Sequence, residues 1–149
     1  MSQFGGDGAV DIDAGRDRCF EIAADAERYP EWHPVIKSVE VLDRDADGRA
    51  ATASLVVDAS VSVVTVEVAF SYDPPGSVEC QRQSGDLNEM WTRFALTDLG
   101  SERTRLDYST GLDPGRMLSM MARGPVLDKV RHKLVDDAIS RFKAAAESA

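Results

Sequence analysis

Between Leu127 and Phe142 the apolar residues of this chain recur at steps of three and four: Leu127, Val130, Leu134, Ala138 and Phe142, with Val135 and Ile139 widening the stripe. That spacing gives a helix one apolar face. Asp128, Lys129, Lys133, Asp136, Asp137 and Arg141 fall elsewhere on it, and Gly124-Pro125 supplies a start, because proline in a first helical turn loses no intrahelical hydrogen bond. The pattern predicts a helix from Gly124 to Ala146, roughly 30 Å long. Asp128 and His132, like Asp137 and Arg141, stand four apart with the acid first, which supports a solvated face. A stripe of this length has to be buried against a wide apolar surface, so the rest of the chain must provide one.

The middle of the chain does so. Val35 to Arg44 alternates and is β-branched, Asp45-Ala46-Asp47-Gly48 carries turn chemistry, and Arg49 to Asp58 answers with Ala51, Ala53, Leu55 and Val57 opposite Thr52, Ser54, Val56 and Asp58. The longest strand is predicted over Val61 to Tyr72, with Val64, Val66, Val68, Phe70 and Tyr72 on its core face. Further strands are predicted over Ser77 to Ser84, Asn88 to Asp98 and Thr104 to Leu112, separated by Asp73-Pro74-Pro75-Gly76, Gly85-Asp86 and Gly100-Ser101-Glu102. Short turns between successive strands make an antiparallel meander. Upstream, Ala9 to Ala14 alternates as a short strand, and Arg16 to Ala26 carries Cys19, Phe20, Ile22, Ala23 and Ala24 at helical spacing. The two prolines of Tyr29-Pro30-Glu31-Trp32-His33-Pro34 then impose a break between two short helices. Residues 1–8 are glycine-rich and are expected to be disordered, leaving one domain over 9–146. The class expected is α+β.

Composition narrows the function. The 149 residues carry 17 Lys plus Arg against 26 Asp plus Glu, a net charge of −9, and no basic run, so the overall field repels nucleic acid and anionic membrane surfaces. No apolar run is long enough to span a bilayer, and the N-terminus lacks the basic and apolar regions of a secretory signal. A cytoplasmic protein without stable membrane insertion and without nucleic-acid contacts is expected. The two cysteines, Cys19 and Cys80, fall in a predicted helix and a predicted strand, and suggest reduced thiols rather than a disulfide or a zinc site. No metal and no cofactor are expected.

Several stretches resemble the START-related superfamily, which includes polyketide cyclases, coenzyme Q-binding proteins and plant pathogenesis-related lipid binders. The resemblance rests on Arg16 to Phe20, on Tyr29-Pro30-Glu31-Trp32-His33-Pro34 with Val39-Glu40-Val41-Leu42 after it, on Met90 to Leu96, and on Thr104 to Tyr108 before the terminal helix. It covers nearly all of residues 9–145. What it implies is a helix-grip fold: a seven-stranded antiparallel sheet wrapped around a long C-terminal helix, two short helices after the first strand, and a cavity between sheet and helix. The element order read from periodicity agrees with this, whereas the cavity comes from the resemblance alone.

No phosphate loop, Ser/His/Asp signature, HExxH or CxxC occurs, so the chemistry reduces to polar groups aimed into an apolar interior. Arg82 shares parity with Val78 and Cys80, the inward set, where its guanidinium would meet a carboxylate, phenolate or enolate; the alternative is an edge-strand arginine with its tip in water. Arg93 alternates with Phe94 and should point outward. Tyr108 shares parity with Leu106 and is either a pocket hydroxyl or a satisfied core tyrosine. His33 is either an acid/base candidate or a histidine at the surface or mouth. Tyr29 and Trp32 either flank the mouth or plug the seam between helix and sheet. Met117, Met120 and Met121 are predicted to wall the cavity, since unbranched thioethers adapt to varied apolar shapes. With Val57, Val68, Phe70, Met90, Phe94 and Leu127 these make the candidate binding set. The expected function is binding of a hydrophobic or amphipathic small molecule. The alternative is a polyketide cyclase or aromatase acting on a poly-β-keto chain, with Arg82, Tyr108 and His33 as the catalytic candidates.

Overall fold

The computed structural model of the protein describes residues 4–58, 63–113, 129 and 131–148. Seven strands form one antiparallel sheet: β1 (Phe4–Ile12), β2 (Ile36–Arg44), β3 (Ala50–Asp58), β4 (Val63–Asp73), β5 (Ser77–Gly85), β6 (Glu89–Gly100) and β7 (Arg103–Asp113). Their order is β1-β7-β6-β5-β4-β3-β2, so each strand from β2 to β7 pairs with its sequence neighbour while β1 closes the far edge beside β7. That path requires the chain to cross from one edge to the other after β1. The crossing is made by α1 (Arg16–Ala24), a 3-10 turn (Ala26–Arg28) and α2 (Tyr29–Trp32).

Alternation decides which face is buried. In β4, Val64, Val66, Val68 and Phe70 are buried while Val63, Thr65, Glu67 and Ser71 are exposed. The turn between β2 and β3 has a side-chain cause as well: the Asp45 carboxylate accepts from the backbone N–H groups of Asp47 and Arg49 at 2.9 and 3.0 Å, and Gly48 takes φ +85°.

The closing helix runs as a π-helical segment, His132–Asp137, into α3 (Ala138–Glu147). Leu134, Val135, Ala138, Ile139, Phe142 and Ala146 are buried, in one core with Val66, Val68 and Phe70, as the apolar stripe requires. The helix rests on β1, where Val135 and Ile139 lie against Gly6 and Gly8. A Cβ at Gly8 would lie 2.7 Å from the Ile139 Cδ1 methyl, so the helix side chains rest directly on the strand backbone there. The far end of α3 is fastened by polar contacts. The Arg18 guanidinium donates to the carbonyls of Ala145 and Ser148, and the Asp13 N–H donates to the Glu147 carboxylate, which also pairs with Lys143.

Three sequence expectations change. The first strand starts earlier than Ala9: β1 begins at Phe4 and pairs with β7 from Phe4 opposite Leu112 to Ile12 opposite Thr104. Glycine-rich composition concealed a strand whose small residues serve helix contact. The helical break falls at Asp25, and Pro30 sits in the first turn of α2, where it is tolerated. Within the helix predicted from Gly124 to Ala146, the segment His132–Asp137 is π-wound. The expected pairing of His132 with Asp128 rests on a residue outside the described ones, as Gly124, Pro125, Leu127 and Val130 also are; His132 itself meets Asp136 and Asp137 at 3.1 and 3.2 Å.

Candidate functional site

Register lines the inner face of the sheet with rungs of side chains that sequence order does not reveal. The middle rung reads Phe70, Cys80, Thr92, Thr110 and Gly6 across β4, β5, β6, β7 and β1. On one side of it lies an aromatic rung, Tyr72, Val78, Phe94, Tyr108 and Gly8. On the other side Val68 pairs with Arg82, and Met90 with Leu112. Val57, Val64, Val66 and Leu87 are buried at the same end.

The aromatic rung is closed by the helices. Trp32 meets Phe142 edge-on at 5.3 Å and Tyr29 at 5.6 Å, and Phe94 lies 5.6 Å from Phe142 and 5.2 Å from Tyr108. Tyr29 donates its hydroxyl to the Ala23 carbonyl at 2.5 Å. Of the two positions open to Tyr29 and Trp32, the structure gives the seam: both rings are buried where α2, α3 and the sheet meet.

Behind this plug sits a polar network. His33 is buried at 8% exposure, not at the surface or mouth. Its Nδ1 accepts from the Val35 N–H at 3.2 Å, so the ring proton resides on Nε2, which lies 3.5 Å from the Tyr108 hydroxyl. Burial, with a smaller contribution from the Arg141 charge, lowers the His33 pKa from 6.5 to about 3. The imidazole is therefore neutral and a donor. Burial likewise holds Tyr108 well above its usual value, despite hydrogen bonding from Thr110 and Thr92, and pushes the Cys80 thiol up to about 12. Thr110 donates to the Trp91 carbonyl at 3.0 Å, and its hydroxyl lies 2.9 Å from that of Thr92.

Arg82 is half-buried with its side chain on the inner face. Its Nη2 donates to the Gly85 carbonyl at 3.0 Å, while its Nε is buried without a hydrogen-bond partner among the described residues. The nearby carboxylates are engaged outside: Glu67 accepts from Ser84, Glu79 pairs with Arg93 at 3.2 Å, and Asp107 pairs with Arg105 at 3.4 Å. Arg93 points outward, as its parity requires. Of the candidate set, Val57, Val68, Phe70, Met90, Phe94 and Tyr108 lie buried on the sheet's inner face; Met117, Met120, Met121 and Leu127 lie outside the described residues. Sequence reasoning passed over Thr92 and Thr110. The available signal was their parity, since each is a hydroxyl residue between apolar residues of an inward-facing series.

Among the described residues no group of three His, Cys, Asp or Glu side chains is placed to hold a metal ion, and no helix is long and apolar enough to cross a membrane.

Solved structures reproduce the architecture. A START superfamily protein from Mycobacterium smegmatis superposes with a TM-score of 0.74 at 23% identity, over 96% of this chain and 94% of that one. The Zhui aromatase/cyclase from a Streptomyces gives 0.65 at 18% identity, over 98% and 90%. The di-domain aromatase/cyclase StfQ of the steffimycin biosynthetic pathway gives 0.70 at 14% identity, covering 97% of this chain and 51% of that one. At these identities the likeness establishes the helix-grip fold. No curated protein matches the sequence. The family model described as polyketide cyclase / dehydrase and lipid transport matches residues 12–139, and the chain belongs to that START-like family.

Proposed function

We propose that the protein binds a hydrophobic or amphipathic small molecule between the inner face of the sheet and the C-terminal helix, with Arg82 receiving an acidic or strongly polar end of it. The observation that carries this reading is the Arg82 Nε, a buried donor without an acceptor among the described residues, on a wall otherwise made of Val57, Val64, Val66, Val68, Met90 and Leu112. A buried donor left unpaired costs on the order of 1–3 kcal/mol, more where the group is charged. A ligand oxygen at that point would recover the cost.

The alternative, cyclisation of a poly-β-keto chain, draws support from the family's description and from the aromatase/cyclase neighbours. It would need a proton donor or acceptor tuned near neutral pH. Burial drives His33 and Tyr108 away from that range in opposite directions, so binding is the better-supported function.

The test uses 2-naphthoate and 2-methylnaphthalene, titrated against tryptophan fluorescence. Arg82→Ala should weaken the carboxylate by roughly 10- to 150-fold, the equivalent of a hydrogen bond to a charged group, and leave the hydrocarbon unchanged. Equal effects on both, or no binding of either by the unaltered protein, would refute the reading.

A further inference from the structure

His132 opens the π-wound segment of the closing helix, and both of its ring nitrogens lie against carboxylates. Nδ1 is 3.1 Å from the Asp136 Oδ2, and Nε2 is 3.2 Å from the Asp137 Oδ1. A neutral imidazole has one N–H and one lone pair, so in that state one of the two contacts would press a lone pair against an anionic oxygen. Only the imidazolium, with a proton on each nitrogen, donates to both. On the strands packed against the segment, Asp11 of β1 is paired with Arg103 and Asp107 of β7 with Arg105. Neither these groups nor Asp7, Asp113, Arg141 or the adjacent Lys133 contacts the ring, so the two aspartates are its partners among the described residues.

The double contact and the winding depend on each other. An α-helix advances about 100° per residue, which puts a residue four ahead about 40° around from the first and a residue five ahead about 140° around, on another face. One side chain cannot reach both. The i→i+5 hydrogen bonding of a π turn closes its circle between the fourth and fifth residues, so Asp136 and Asp137 fall on either side of His132. Rewinding the segment as α would keep Asp136 in reach, release Asp137, and turn the chain upstream by about 100° with a shift of about 1.5 Å. The downstream end is fixed, because Arg18 holds the carbonyls of Ala145 and Ser148 while Glu147 holds the Asp13 N–H. The group displaced is Arg131, whose Nε donates to the Gly5 carbonyl of the edge strand β1 at 3.2 Å.

We infer that His132, Asp136 and Asp137 form a proton-operated clip on the closing helix. With the ring charged, the segment is held π-wound and Arg131 stays on β1; loss of the proton releases Asp137 and shifts the segment toward α-winding. Histidine suits this role because it is the side chain that changes charge between about pH 5 and 8. His132 is 63% exposed and Asp137 34%, so the bias is that of a solvated ion pair, about two- to fivefold in the ratio of the two windings. The clip acts on the helix itself and requires no ligand.

The test is backbone NMR of residues 131–138 from about pH 5.5 to about pH 8.5. His33 stays neutral throughout that range, which leaves His132 as the chain's other imidazole. In the unaltered protein the Cα shifts of Leu134 to Ala138 should move with the His132 ring resonances, toward α-helical values as pH rises, and the Arg131 Nε–H should lose protection from exchange. Asp137→Ala, which removes the partner that only a π turn brings in, should give α-like shifts that no longer follow the ring. His132→Gln should abolish the transition. Asp137→Asn, nearly isosteric and uncharged, replaces the alanine variant where that one disturbs folding. Cα shifts that stay flat while the ring titrates, or a transition of full size in the Asp137 variant, overturn the clip.

Discussion

Acidification should destabilise this protein through one residue, His33. In the folded chain its pKa is about 3 against 6.5 for a free imidazole, because the ring is buried and Arg141 adds a like charge. The unfolded state therefore binds a proton that the folded state refuses, and stability falls as pH drops. The sign follows directly: the contribution is complete above pH 6.5 and is lost progressively as pH falls toward the folded value. At pH 5 the ratio of the two proton-binding terms corresponds to about 2 kcal/mol of lost stability. Protonation would also put a hydrogen on Nδ1, which now accepts from the Val35 N–H at 3.2 Å. Urea unfolding of the unaltered protein and of His33→Asn, at about pH 7.5 and about pH 5, isolates the effect. Asparagine retains an acceptor near the Nδ1 position and does not titrate, while the carboxylates and the exposed His132 are common to both proteins. The unaltered protein should lose about 2 kcal/mol more than the variant over that interval. Parallel losses would mean that the imidazole is solvated and that the buried network is wrongly described.

Two further substitutions test the architecture. Leu134→Ala, which empties a buried position between the closing helix and the sheet, should cost about 2–5 kcal/mol in urea unfolding, and a change within about 0.5 kcal/mol would contradict the gripped helix. Gly5→Ala should cost about 1–3 kcal/mol, since Gly5 has φ +146° and an added Cβ would fall 2.2 Å from the Thr110 carbonyl oxygen; a neutral result would return residues 4–8 to the disorder that their composition suggested.

Much of the fold was legible because burial follows a period. The alternation of β4 and the three-four stripe of the closing helix are each dictated by one apolar surface, and the structure buries Val64, Val66, Val68, Leu134 and Phe142 accordingly. What escaped has a different physical origin. Strand β1 carries Gly5, Gly6 and Gly8, and no local preference marks such a run as extended. It is a strand because β7 offers an edge and because Val135 and Ile139 need a shallow surface to lie on. The π-winding at His132–Asp137 escaped because a single π turn inserts only one extra residue into the α-helical repeat, too little to break the apolar stripe.

The candidate site was harder to read, and the reason is register. Parity within β5 would continue inward from Val78, Cys80 and Arg82 to Ser84. The β4–β5 pairing slips between Val68 opposite Arg82 and Glu67 opposite Ser84, with Gln83 as the extra residue. After the slip Ser84 faces outward, where its hydroxyl bonds Glu67 at 3.0 Å. Gly85 follows at φ +117°, and a Cβ there would meet the Thr65 carbonyl at 2.6 Å, so the bulge is held by a residue that has no side chain to collide. Arg82 is thus the last inward residue of its strand, with an apolar series behind it and a backbone turn in front. Its Nη2 reaches the Gly85 carbonyl, and its Nε is left inside without a partner among the described residues. The same kind of alignment brings Cys80, Thr92 and Thr110 into one rung from positions far apart in sequence. Composition marks each of these residues as ordinary, and parity marks each as inward. Only the pairing between strands puts the Arg82 guanidinium one rung away from a buried row of a thiol and two hydroxyls.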